Sequence, residues 1–196
     1  MAKINTLKGI DLFCGIGGFR LAMEENNVKC VFSSDIDSFA QKTYQANFGE
    51  IPSGDITKIE AKDIPSFDIL TAGFPCQPFS TAGMQKGVDD PYGRGTLFQH
   101  IMRICEAKKP KYILLENVKG FFSKKFESTR KQMDNMLIKM GYSASKKDEP
   151  LRVALLNSKD YGVPQNRERV WMFAKLGGLP KDFSMIPEQI HNGMLM

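Results

Sequence analysis

Phe67-Asp68-Ile69-Leu70-Thr71-Ala72-Gly73-Phe74-Pro75-Cys76-Gln77-Pro78-Phe79-Ser80 is the stretch whose reading decides the fold. Its first six residues are short, apolar and bounded by Pro65 and Gly73, the pattern of a buried strand. A strand that stops at Gly-Phe-Pro-Cys carries a thiol to the carboxyl edge of a sheet, where open α/β sheets bind ligands. Pro75 and Pro78 fix φ on either side of Cys76. A lone cysteine is more often a small buried thiol, but a Pro-Cys-Gln-Pro turn packs poorly and leaves the sulfur reactive. Cys76 is therefore expected to be a nucleophile.

Upstream, Gly9 to Phe13 reads as a first strand, Cys14 to Gly18 as a glycine turn and Phe19 to Asn26 as a helix. Glycines between strand and helix let a ligand approach the amides of a helix start, so a nucleotide-type cofactor fits, as does a plain tight turn. The dinucleotide fingerprint wants glycine at position 20, where Arg20 stands, which weakens a nicotinamide-dependent oxidoreductase. Val28 to Ser33 reads as a second strand ending at Ser34-Asp35-Ile36-Asp37. Asp35 is placed to accept hydrogen bonds from ribose hydroxyls, while Asp37 caps a helix from Phe39 to Phe48. Gly54 to Thr57 is expected to end a short third strand, with Asp55 either receiving a base amino group or serving the turn.

Downstream, Gly83, Gly87, Gly93 and Gly95 punctuate a long segment beside Cys76 that reads as a lid or an ordinary exposed loop. A helix from Thr96 to Lys108 carries the apolar stripe Leu97, Ile101, Ile104 and Cys105, which places Cys105 in the core and His100 at the surface or its boundary. Tyr112 to Leu115 reads as a buried strand ending at Glu116, a carboxylate that either reaches the edge shared with Cys76 or caps the next segment. The helix from Phe126 to Met140 has a packing stripe of Met133, Met136, Leu137 and Met140, and Gly141 stops it. In a last pair of strands, Arg152 to Asn157 and Arg167 to Lys175, alternation puts Arg167, Arg169 and Trp171 on one face. Lys119, Lys124, Lys125, Arg130 and Lys131 form a basic cluster that reads as a solvated face or a phosphate-contacting surface.

The 196 residues, 42% hydrophobic, can hold one sizeable core, and a net charge of +5 permits a polyanionic partner. Four scattered cysteines argue against a zinc site or disulfide framework, so no metal is expected, and they favour a reducing compartment. Two histidines leave little material for a triad. With no signal-like start and no membrane-length apolar run, the expected location is the cytoplasm and no membrane partner is expected.

Asp11-Leu12-Phe13 with Gly15-x-Gly17-Gly18, Gly73-Phe74-Pro75-Cys76-Gln77, Glu116-Asn117-Val118 and Gln165-Asn166-Arg167-Glu168-Arg169 occur in the order of the cytosine-5 DNA methyltransferase family, which this chain resembles from Lys8 to about Leu176. The resemblance implies a Rossmann-like S-adenosylmethionine-dependent methyltransferase fold, an α/β architecture with a mostly parallel sheet and helices on both faces. It implies that Phe13, Ile16, Gly18, Asp35, Ile36, Asp55, Ile56 and Leu97 hold S-adenosylmethionine, with Asp35 on the ribose and Asp55 on the adenine amino group. Ile36 departs from relatives, which often stack an aromatic on the adenine there. Cys76 matches the nucleophile, Glu116 the carboxyl on the base edge, and Arg167 and Arg169 the site's arginines. The implied substrate is cytosine in double-stranded DNA, flipped out of the stack.

Family members continue into a target-recognition domain and two further motifs that are not found before Met196. The expectation is a catalytic and cofactor-binding portion over residues 1–178 and a tail over 179–196, in a truncated or split enzyme served by a second chain. An inactive cofactor- or DNA-binding subunit and a transfer-RNA cytosine methyltransferase remain alternatives.

Overall fold

Strand β1 (Lys8–Leu12) is the centre of the first half, and its burial explains its composition: Ile10 and Leu12 are fully buried. It pairs in parallel with β2 (Lys29–Ser34) on one side and β3 (Ile69–Gly73) on the other. A strand flanked in this way is covered on both faces and reads as a nearly continuous apolar run. The polar exception is Asp11, fully buried, whose Oδ1 accepts from Thr71 Oγ1 of β3 at 3.1 Å. The computed structural model describes residues 6–75, 97–142, 151–180 and 182–190; Cys76 and the glycine-punctuated segment lie outside the described residues. The chain divides into two units, Met1–Ile113 and Leu114–Met196. Six strands among the described residues make a mixed sheet.

In the first unit the strand order is β2-β1-β3. Helix α1 (Gly18–Glu25) joins β1 to β2, and α2 (Ser38–Phe48) follows β2. Asp37 caps α2 as expected: its Oδ1 accepts from the amides of Phe39 (2.7 Å) and Ala40 (3.2 Å). The turn between β1 and α1 needs glycine at position 17, where φ is +100° and a Cβ would stand 2.0 Å from the Phe48 ring. Arg20 is occupied structurally, donating to Glu24 (2.6 Å) and Glu50 (3.1 Å) with its guanidinium over the Phe48 ring.

Two expectations fail in this unit. Gly54 to Thr57 does not end a strand; Asp55 instead caps a single 3-10 turn, Ile56–Lys58. The apolar residues there are too few and too close to Pro52 and Gly54 to extend a ladder. His100, on α3 (Leu97–Lys108), is buried rather than at the surface, because Arg103 one turn on donates its Nε–H to His100 Nδ1 at 3.1 Å.

In the second unit, β4 (Tyr112–Val118) enters from the boundary, and the order is β4-β6-β5. β5 (Arg152–Asn157) and β6 (Glu168–Lys175) run antiparallel, with Leu156 opposite Arg169 and Asn157 opposite Glu168. Val170, Met172 and Ala174 face the core in strict alternation with half-buried neighbours, as the period-two pattern requires. Helix α4 (Glu127–Met140) buries Met133 and Leu137, and Gly141, at φ +92°, ends it in a left-handed cap.

Candidate functional site

A cavity of about 650 Å³ opens at the carboxyl ends of β1, β2 and β3. Phe13, Asp35, Ile36, Asp55, Ile56 and Leu97 line it, six of the eight residues assigned to the cofactor from sequence. The other two, Ile16 and Gly18, stand in the turn before α1 and at its first residue; the Ile16 carbonyl accepts from Asn47 Nδ2 at 3.1 Å. Phe13 holds φ +56°, a left-handed conformation unusual for an aromatic residue and the kind of backbone strain that concentrates at binding sites.

The two acidic walls are set by backbone donors. Asp35 Oδ2 accepts from the Gly15 amide at 2.7 Å and Oδ1 from the Asp37 amide at 2.9 Å, so the glycine turn and the α2 entry fix one carboxylate together. Asp55 Oδ1 accepts from the Thr57 hydroxyl (2.8 Å) and amide (2.9 Å), which hold its carboxyl below the usual range. Ser34, Asp37, Gly54, Thr57, Gly73 and Pro75 complete the lining and were not singled out from sequence as site residues. Ser34 is the informative one. It is 1% exposed, and its Oγ has no hydrogen-bond partner among the described residues. A buried orphan hydroxyl on a cavity wall costs stability until a ligand satisfies it. Its signal in the sequence was a polar residue ending an otherwise buried strand.

S-adenosylmethionine fits this lining. The lining offers the Asp35 and Asp55 carboxylates as acceptors for hydroxyl and amino groups, apolar Ile36, Ile56 and Leu97 for a base, and the unpartnered Ser34 hydroxyl.

The second unit holds a separate cluster at the end of β4. Glu116 is ion-paired to Arg169, whose Nε stands 2.8 Å from Glu116 Oε1, and Arg167 lies 3.9 Å from the same oxygen. Glu116 and Arg169 are about four-fifths buried at the side chain, whereas Arg167 is half exposed. The arginine-bearing loop is pinned by Asn157, whose Oδ1 accepts from the Arg167 amide (3.0 Å) while its Nδ2 donates to Asn166 Oδ1 (2.7 Å). Asn157 was also missed from sequence. Both arginines engage Oε1, so the other carboxylate oxygen is left by this pair to meet a further group.

The basic cluster is mostly consumed internally. Lys119 pairs with Glu168 (3.0 Å), Lys131 with Glu127 (2.8 Å), and Arg130 donates to the carbonyls of Phe121 and Ser123 and lies over the Phe122 ring. Three of its five charges thus have partners in the protein, and Lys125 lies over Phe126. Among the thiols, burial pushes the pKa of Cys14, Cys30 and Cys105 up, so none of the three supplies a thiolate near neutrality. No described helix is long and apolar enough to cross a membrane.

Parallel strands that deliver acceptors to a cavity at their carboxyl edge define an α/β protein with its cavity where open sheets of this kind bind ligands. The chain belongs to the C-5 cytosine-specific DNA methylase family, whose profile matches residues 7–193. It is 48% identical over 170 residues to the Type II methyltransferase M.HhaI of Haemophilus parahaemolyticus, covering 87% of this chain and 49% of that protein. It is 52% identical over 171 residues to the Type II methyltransferase M1.ScrFI of Lactococcus lactis subsp. cremoris, covering 87% and 42%. The chain thus spans about half the length of the curated relatives it matches. Among solved structures it resembles Spodoptera frugiperda DNMT2 (E260A/E261A/K263A mutant) at 28% identity and TM-score 0.71, covering 93% of this chain and 54% of that one. S. pombe Dnmt2 matches at 27% and 0.67, covering 91% and 51%. The fold is that of the S-adenosylmethionine-dependent methyltransferases.

Proposed function

We propose that this chain carries the cofactor-binding and catalytic portion of a DNA (cytosine-5)-methyltransferase that acts on cytosine in duplex DNA. The observation that carries the reading is the Glu116 carboxylate, held on one oxygen by Arg169 at 2.8 Å at the carboxyl end of β4. S-adenosylmethionine, when bound, supplies an electrophilic methyl group. Asp35 would hold its ribose, Asp55 the adenine amino group, and Phe13, Ile36, Ile56 and Leu97 the faces of the base, with Ile16 and Gly18 at the glycine turn.

Carbon 5 of cytosine is a weak nucleophile, and the remaining work falls to side chains. The Cys76 thiolate adds to carbon 6, a carbon–sulfur bond forms, and the electron pair of the 5,6 double bond shifts toward carbon 5. Glu116 shares a proton with ring nitrogen 3 and offsets the charge that the addition creates. Arg169 and Arg167 orient Glu116. After carbon 5 is substituted, its proton leaves to water, the Cys76–carbon 6 bond breaks and the double bond returns. Cys76 is favoured as nucleophile because burial keeps the other three thiols protonated.

The test is transfer of labelled methyl to duplex DNA and to transfer RNA by the chain, alone and with a second polypeptide carrying a target-recognition domain. The expected result is label at carbon 5 of DNA cytosine, lost in Cys76→Ser together with the denaturant-stable adduct to 5-fluorocytosine DNA. Label on transfer RNA alone, or an adduct that survives Cys76→Ser, overturns it.

A further inference from the structure

The segment between β2 and β3 that carries Asp55 has no strand to hold it, yet it forms one wall of the cofactor cavity. Its hydrogen bonds must be found elsewhere, because carbonyls near a packed interior need donors. They are found on α3. Arg103 Nη2 donates to the carbonyls of Ile56 and Ile59, each at 2.7 Å, and its Nε–H to His100 Nδ1 at 3.1 Å. Ile56 is buried and lines the cavity, while the Asp55 carbonyl accepts from the Lys58 amide (3.0 Å) inside the same turn. Lys108 donates to the Ile64 carbonyl further along, so α3 holds the strandless stretch at both ends.

We propose that Arg103 is a positioning residue for the cofactor cavity, tying the Asp55–Thr57 wall to α3 through the Ile56 and Ile59 carbonyls. The guanidinium does not line the cavity; it acts through the turn that aims Asp55. Charge-assisted bonds of this kind are roughly twice as strong as neutral ones, and a planar guanidinium can serve two carbonyls and an imidazole at once. His100 sets the plane: with Nδ1 accepting, its proton sits on Nε2 and the ring fixes the Arg103 Nε direction. The assignment rests on the cofactor reading of the cavity, and the experiment separates the two.

Arg103→Met keeps the apolar stem and removes every donor. Amide exchange is read first: the Lys58 and Ile59 amides should exchange about tenfold faster than in the parent chain while those of β1 are unchanged. S-adenosylhomocysteine binding is then measured by calorimetry in the parent and in Asp55→Asn. The substitution should weaken affinity about tenfold in the parent and much less in Asp55→Asn, because both changes act on the same contact. Equal losses in the two backgrounds, unchanged exchange, or acceleration spread equally over β1 overturns the assignment. Accelerated exchange at Lys58 and Ile59 in a parent chain that binds no S-adenosylhomocysteine upholds the tie and overturns the cofactor reading instead. Should Arg103→Met fail to fold, Arg103→Lys, which retains a donor for the carbonyls but loses the His100 bond, is expected to show smaller shifts of the same pattern.

Discussion

The two halves hold their functional carboxylates by opposite means. In the first unit, Asp35, Asp37 and Asp55 accept from amides two to twenty residues away, so their positions follow from turn geometry. In the second, Glu116 is held by cations some fifty residues along the chain. Backbone donors are already directed by the loop and are little affected by salt. A side-chain ion pair must be ordered against rotamer entropy and weakens as salt screens it. The carboxylates of the first unit's cavity thus take their immediate donors from turn geometry, whereas Glu116 depends on side chains brought to it by the packed sheet.

Asp11 is where that contrast is most open to being broken, since burial outweighs the support that this first-unit carboxylate has from Thr71 and the Arg20 amide. Its Oδ2 has no hydrogen-bond partner among the described residues, and burial raises its pKa to about 7. The folded state holds a proton that the unfolded chain releases near pH 3.8, so stability is full below that value and falls as pH rises toward 7. Between pH 5 and pH 8 the loss should be about 3 kcal/mol relative to Asp11→Asn, which lacks the titrating group. Urea unfolding of both proteins at the two pH values checks this; parallel pH profiles would mean that Asp11 is charged and satisfied.

A double-mutant cycle on Glu116→Gln and Arg169→Ala sharpens the second half of the comparison. The 2.8 Å pair, about four-fifths buried on both sides, should couple by about 2 kcal/mol. The coupling should shrink at high salt, whereas the effect of Asp37→Ala should not. Arg167, at 3.9 Å and half exposed, should couple by a fraction of that.

Asp37→Ala removes two amide acceptances at the start of α2 and should cost about 1 kcal/mol in thermal or urea unfolding. The smallest effect is expected at Lys119–Glu168, exposed on both sides, where the cycle should give about 0.5 kcal/mol or less. A large, salt-sensitive value there would mean that surface cations organise the second half as strongly as buried ones.

What could be read from the sequence is what local geometry encodes. The capping role of Asp37 and the placement of Asp35 beside it follow from bonds spanning two or three residues, and such bonds leave a spacing that can be seen. The β6 faces followed from period-two alternation, and the α4 stop from Gly141. Strand boundaries for β1 to β3 shift by only one or two residues, whereas β4 runs three residues past Leu115, to Val118. What the tertiary structure alone decided is every feature made by side chains distant in sequence. His100 looked peripheral on a helical wheel and is buried by Arg103, whose other bonds run to carbonyls more than forty residues earlier. The basic cluster looked free and is largely paired, with Lys119 reaching Glu168. Gly54 to Thr57 looked like a strand end and became a 3-10 turn, because its carbonyls found donors on α3 instead of on a neighbouring strand. A hydrogen bond between residues far apart leaves no period in the chain; it exists only once packing has brought donor and acceptor together.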